Sequence, residues 1–209
     1  MAKIILQIQT ALFFKNDYTG NFEDISLFLK KPDTTSELMP IPASAPSEIP
    51  RLRMIFNDNF RLSFSKNRLD IYFKEMSSID FEIIEKFINK EEYNIQIGRI
   101  GFVKNIFEEE NINNLKSLLK IQNIESLPLK EINIRVNNKK TVDTYECNDI
   151  ESKGSGNLID DNSGTQKTGT IIIRDINTLP EQITNNEFQF EKIKELISLF
   201  NQETDNFLF

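Results

Sequence analysis

The chain has no histidine and a single cysteine, Cys147. The first absence removes His-based triads, His general bases and His-ligated metals. The second removes an intrachain disulfide and any cysteine-cluster zinc site. No stretch approaches the roughly 18 consecutive apolar residues of a membrane-crossing helix. The N-terminal MAKIILQIQTALFF is interrupted by Gln7, Gln9 and Thr10 with no small-residue cleavage site after it, so it is expected to be a strand and not an export leader. Positive charge is in deficit, with 25 Lys+Arg against 32 Asp+Glu and a formal net charge of -7. Nucleic acid and anionic membranes are therefore not expected as partners, because neutralising phosphates takes a surplus of basic residues. A local basic face can still survive inside an acidic total. What remains is ordinary for a globular domain, with 39% hydrophobic and 27% charged residues over 209 positions. A cytoplasmic protein is expected, with no cofactor and no metal.

The residue pattern gives a series of elements. Residues 3–14 read as a strand. Asn21 stands before FEDISLFLKK, where Phe22, Ile25, Phe28 and Leu29 recur at helical spacing. Residues 32–50 carry Pro32, Pro40, Pro42, Pro46 and Pro50 and are expected to form an extended, partly polyproline connector. Three alternating strands follow: Leu52, Met54 and Phe56; Phe60, Leu62 and Phe64; Leu69, Ile71 and Phe73. A loop at Asn57-Asp58-Asn59 and a turn at Lys66-Asn67 put all nine on one face. A helix over 78–89, capped by Ser77 or Ser78, presents Phe81, Ile84, Phe87 and Ile88 inward. The second half reads as a strand at 93–105 and a helix at 112–121 around Leu115, Leu118 and Leu119. Strands at 131–136 and 140–147 are expected to turn at Asn137, Asn138 and Lys139. A mobile glycine-bearing loop at 148–168 comes next, then the β-branched strand TGTIIIRDI and a turn at Pro180. A helix at 187–207 closes the chain, with Phe190, Ile193, Leu196, Ile197, Phe200 and Phe207 inward.

The two halves, 1–91 and 92–209, thus share one order of elements: strand, helix, three strands, helix. Sliding the chain against itself by 89 positions aligns LQIQTALFFKN (6–16) with IQIGRIGFVKN (95–105), bringing Ile8 onto Ile97 and Phe13 onto Phe102. This tandem order resembles the TATA-binding-protein superfold. The resemblance implies an α+β domain with one curved antiparallel sheet shared by both halves, helices packed on one side and the other side open.

On the open side the alternation places Arg51, Arg53, Arg61, Arg68, Tyr72 and Lys74, with Arg53–Ser63–Asp70, Arg51–Ser65–Arg68 and Ile55–Arg61–Tyr72 as cross-strand neighbours. Two readings of these arginines stand. They form a site for a carboxylate or phosphate, which the forked guanidinium suits, or they are a solvated sheet exterior neutralised by acids such as Asp70. Other chemistry is thinner. Glu108-Glu109-Glu110 and Asp160-Asp161 lack spaced ligands and a glycine turn, and Asp143, Glu146 and Asp149 divide between faces. Gly154-Ser155-Gly156 lacks the Lys-Ser/Thr of a phosphate loop. Cys147 has no histidine to activate it and is expected to be a small buried hydrophobe.

The motifs IGRIGFVKNIF (97–107), GTIIIRDINTLPE (169–181) and ELISLFNQETDNFLF (195–209), with SEIPRLRMIF (47–56) and SFSKNRLDIYF (63–73), resemble an uncharacterised, sporadically distributed bacterial family found beside mobile elements and defence genes. The resemblance implies an accessory component and supplies no catalytic residues. Arg99 within these motifs is expected to be a buried structural arginine paired to a carboxylate. The expectation is a non-enzymatic protein-interaction component of a phage, plasmid or bacterial defence system. Its partner is another protein, or a second copy of the chain joined through an exposed edge strand. The alternatives are a small-anion or nucleotide sensor using the arginine face and a His-free, carboxylate-based metal-dependent hydrolase.

Overall fold

The structure, a computed structural model, describes residues 3–109, 112–119, 131–159 and 164–206. Its core element is β1 (Lys3–Phe14), an alternating strand whose Ile8, Leu12 and Phe14 are buried on one side. Asn21 ends the following turn and accepts a hydrogen bond from the Glu23 amide at 3.0 Å, which starts α1 (Phe22–Leu29). The meander is β3 (Leu52–Asn57), β4 (Phe60–Phe64) and β5 (Arg68–Phe73), preceded by a short β2 (Thr35–Leu38). Then come α2 (Phe81–Ile88), β6 (Ile97–Glu108), α3 (Ile112–Leu118), β7 (Asn133–Val142), β8 (Tyr145–Ile159), β9 (Gln166–Thr178) and α4 (Phe190–Glu203).

All nine described strands form one antiparallel sheet in the order β2-β3-β4-β5-β1-β6-β9-β8-β7, with β1 and β6 joining its two halves. The protein is therefore of the α+β class. The pairings Leu52↔Phe64, Met54↔Leu62, Phe60↔Phe73 and Leu62↔Ile71 put the apolar residues of the meander on one face, as their alternation requires. Buried Ile25 and Leu29 of α1, Ile83, Ile84 and Phe87 of α2, and Ile193, Leu196, Ile197 and Phe200 of α4 join that face in one continuous core. No helix of the described residues is long and apolar enough to cross a membrane.

Several boundaries differ from the sequence reading. The proline-rich stretch contributes β2, an edge strand ending before Pro40, because only an edge tolerates the missing amides beyond it. Asn57 pairs with Phe60 after a bulge, so that turn is Asp58-Asn59. Ser77 and Ser78 lie in a 3-10 turn (Met76–Ser78), and Asp80 caps α2 by accepting from the Ile83 amide at 3.3 Å. Residues 91–93 form another 3-10 turn closed by Asn94 at φ 48°, so β6 starts at Ile97.

The largest correction concerns 131–168. Asn137 and Asn138 are extended and pair with Ile150 and Asp149, and the hairpin turns instead at Asp143-Thr144, with Asp143 at φ 55°. A ladder continuous from Asn133 to Val142 outweighs the local turn preference of asparagine. Residues 148–159 and 166–168 belong to β8 and β9 and are not a loop. Glycines there serve packing: a Cβ at Gly156 would lie 2.5 Å from the Ile171 side chain, and one at Gly169 would lie 2.7 Å from the Phe107 ring. The slide by 89 also fails at Phe13, which lies on the sheet face away from the helices, whereas Phe102 is buried beneath them against Phe73. Around these two positions the buried residues are Leu12 and Phe14 in β1 and Ile100, Phe102 and Ile106 in β6, so the slide sets Phe13 against a residue of the opposite face. Glu110, Asp160, Asp161 and Phe207 lie outside the described residues.

Candidate functional site

The face away from α1, α2 and α4 holds four of the five arginine-site residues expected there, in two separate groups. Toward the β2 edge, Arg53 donates Nη1 to Glu37 at 3.3 Å, both side chains being well exposed. Next to it, the Arg61 guanidinium lies 4.5 Å from the centre of the Tyr72 ring and donates Nη2 to Gln7 at 3.3 Å. The pairings Ile55↔Arg61 and Arg61↔Tyr72 produce this stack. A depression of about 180 Å³ opens beside it, rimmed by Asn57, Asp58, Asn59 and Lys74.

Arg68 belongs to the second group, at the middle of the sheet. It donates Nε to Asp70 at 2.9 Å, and Asp70 also accepts from Gln9 Nε2 at 3.0 Å. Burial raises the Asp70 carboxyl above its ordinary value despite the lowering effects of Arg68 and Gln9. Across β1, Arg99 projects onto the same face, 4.4 Å from the Phe13 ring centre. Its hydrogen bonds go to the Thr178 carbonyl (3.1 Å) and Asn177 Oδ1 (2.9 Å), so its direct partners are a carbonyl and an amide, not the carboxylate expected for it. Burial lowers its pKa, Asp175 acts in the opposite direction, and Arg68 adds to the lowering.

Arg51 stands apart. It is 6% exposed and donates to the carbonyls of Ile41 and Pro42 (3.4 Å each) and Ala45 (3.2 Å). Prolines supply no amides, and the carbonyls around them need donors from elsewhere. Arg51 is thus the clasp of the connector and not a member of the open-face group.

Sequence reading missed Phe13, Arg99, Asp175 and Asn177 as parts of this face. The alternation was present in β6, where Arg99, Gly101, Val103 and Asn105 stand on one side and Ile100, Phe102 and Ile106 on the other. Lys104 among the apolar set disguised it. That lysine is buried under α4, donating to Asn201 (3.1 Å) and Asp205 (2.6 Å). The carboxylate-paired structural arginine is Arg174, fully buried between Glu151 (2.6 Å) and Asp149 (2.7 Å). Cys147 is buried as expected, and burial pushes its thiol up to about 11. Among the described residues no group of acids and cysteine is arranged to hold a metal ion. Comparison of the chain with protein-family models and with curated proteins gives no match.

Proposed function

We propose that the protein is a non-enzymatic binding component whose protein partner docks on the open face of the sheet. The observation that carries this reading is the Arg61–Tyr72 stack with Arg53 beside it, on a face that three of the four helices leave uncovered. Arginine and tyrosine are enriched at interface hot spots, and each offers a large flat surface and a polar tip. Of the carboxylates on this side of the sheet, Glu37 is already paired with Arg53 and Asp70 is already bonded to Arg68 and Gln9, which favours binding over acid–base chemistry. The exposed guanidiniums suit a partner carrying acidic side chains.

The same reading takes the sheet as two copies of one unit meeting at the β1–β6 ladder, as in the TATA-binding-protein superfold. Supporting it, the strands read β3-β4-β5-β1 inward from one side and β7-β8-β9-β6 from the other, each followed by a closing helix. β2 is then an addition to the first copy. The reading extends to a cytoplasmic accessory component of a phage, plasmid or bacterial defence system, which rests on the motif resemblance. The test is co-expression with the products of neighbouring genes, followed by affinity measurement. One of them forms a stable complex, and Arg61→Glu weakens it by about thirtyfold or more, the size of a hot-spot loss. Absence of any complex, or a complex indifferent to Arg53→Glu and Arg61→Glu, overturns the proposal.

A further inference from the structure

The centre of the open face carries a second site, which does not depend on the docking reading. Ala11 and Gly101 stand opposite each other where β1 meets β6, giving a floor nearly free of side chains. The depression above it has a volume of about 160 Å³. Phe13 closes one end, and the residues paired with it on either side are Arg68 and Arg99. Their guanidinium carbons lie 5.9 and 4.4 Å from its ring centre. Arg68 is committed only through Nε, and Arg99 through Nε and Nη2. Both terminal nitrogens of Arg68 and Nη1 of Arg99 are without partners among the described residues. Two like charges are thus held on the two flanks of one ring with donors to spare. On the far side, Asp175 accepts from Asn177 through Oδ1 (2.9 Å), and its Oδ2 has no hydrogen-bond partner among the described residues.

Gly101 sharpens the case. A Cβ there would meet nothing closer than 3.6 Å, so packing does not require glycine. Gly98, four residues before Phe102 in the same strand, is different: its Cβ would fall 2.1 Å from the Ile183 carbonyl oxygen. Glycine weakens a strand, and inside one it often marks a place where something approaches closely.

We propose that this depression binds a small zwitterion of amino-acid type, its carboxylate received by Arg68 and Arg99 and its ammonium by Asp175. The charges of the site choose this class. Two arginines and two aspartates sum to zero, so a zwitterion preserves the balance, whereas phosphate adds net negative charge beside Asp70 and Asp175. Two guanidiniums match a carboxylate by forked hydrogen bonds. The volume admits only a few heavy atoms, well below the pockets that hold drug-sized ligands or nucleotides.

The test is titration of the isotope-labelled full chain with L-alanine, acetate, methylammonium and inorganic phosphate, followed by amide chemical shifts. L-Alanine moves the amides of Ala11, Gly101 and Asn177, and binds about tenfold or more tighter than the other three. Arg99→Gln and Gly101→Val each weaken the alanine response by a similar factor, and Gly101→Val does so with Arg68 and Arg99 still present. If Arg99→Gln fails to fold, Gly101→Val decides alone, with Gly101→Ala as a milder filling of the same space. Unmoved amides, a response that survives Gly101→Val, or acetate or phosphate binding as well as alanine, each overturn the assignment.

Discussion

Under the helices, the two ends of the sheet bury opposite chemistry. Strands β3, β4 and β5 present Leu52, Met54, Phe60, Leu62, Phe64, Leu69, Ile71 and Phe73, all buried, to the rings and aliphatic groups of α1 and α2. Strands β6 to β9 present Lys104, Lys140, Asp149, Glu151 and Arg174 among their apolar neighbours. Arg174 bridges Asp149 and Glu151, Asp149 lies 3.4 Å from Lys140, and Lys140 reaches Glu203 of α4 at 2.7 Å. The first half is held by area removed from water, a non-directional force. The second half fastens the end of α4 by directional pairing, in which each group is stable only while its partner is present.

That difference predicts opposite responses to a second substitution, and it carries the largest expected effects. Arg174→Met leaves Asp149 and Glu151 buried without their main counter-ion and costs about 3–5 kcal/mol. Phe64→Ala costs about the same, through lost transfer energy and the cavity against Phe87, whose ring lies 5.1 Å away. The second substitution separates the two cases. Adding Glu151→Gln to Arg174→Met recovers part of the loss, because it removes a buried charge that has lost its fully buried counter-ion, although Lys153 remains 3.3 Å away. Adding Phe87→Ala to Phe64→Ala deepens it. Urea denaturation of the four variants measures this, and a deepening in both pairs would erase the distinction between the halves.

A smaller effect separates the interior of the open face from the exterior of the second hairpin. Burial raises the carboxyls of Asp70 and Asp175 above their ordinary value of 3.8. The folded protein therefore holds these protons more tightly than the unfolded chain. The stability contributed by the two groups is complete below 3.8 and is lost as the pH rises through their raised values. Asp143 behaves in the opposite sense, since its hydrogen bond from Lys192 lowers its pKa. Its contribution is present above 3.8 and lost as the pH falls through the lowered value. Melting temperatures across the acid range check both signs. Relative to wild type, Asp175→Asn gains from acid toward neutral pH, and Asp143→Asn loses over the same interval. Parallel curves for the two variants would show that burial does not control Asp175.

The contrast between the halves also explains what could be read from the sequence. The first meander was legible because every inward position from Leu52 to Phe73 is apolar and strand alternation needs nothing else. Charges buried in pairs defeat the same rule. Lys104, Asp149 and Arg174 look like solvent-facing residues until the partner on the neighbouring strand is known, and Glu151 pairs with Arg174 only through the register of β8 and β9. Gly154 and Gly156 read as loop for a similar reason, since the need for space that Gly156 meets beside Ile171 is a cross-strand property. The site shows the same limit. Arg53, Arg61, Arg68 and Tyr72 follow from alternation in three adjoining strands. Arg99 and Asp175 join Arg68 only because β1 and β6 pair across the middle of the sheet. Arg51 obeys the alternation but is claimed by the carbonyls of a connector whose course no periodicity describes.

The smallest signal is at Cys147, and it asks whether the two halves open together. Its thiol is buried and pushed up to about 11, so near pH 7 only roughly one molecule in ten thousand carries the thiolate that alkylating reagents attack. Labelling by iodoacetamide therefore reports opening of β8 and the core above it. Cys147 belongs to the same continuous core as Phe64, and β1 and β6 join the halves by a ladder running from Lys3↔Glu108 to Phe14↔Ile97. The expected result is a single cooperative unit. Phe64→Ala and Arg174→Met then accelerate Cys147 labelling equally for equal loss of global stability, although one lies in the first half and the other on the strand that pairs with the cysteine's own. Acceleration by Arg174→Met alone would mean that the charged half opens by itself, and that the seam between β1 and β6 is weaker than its length implies.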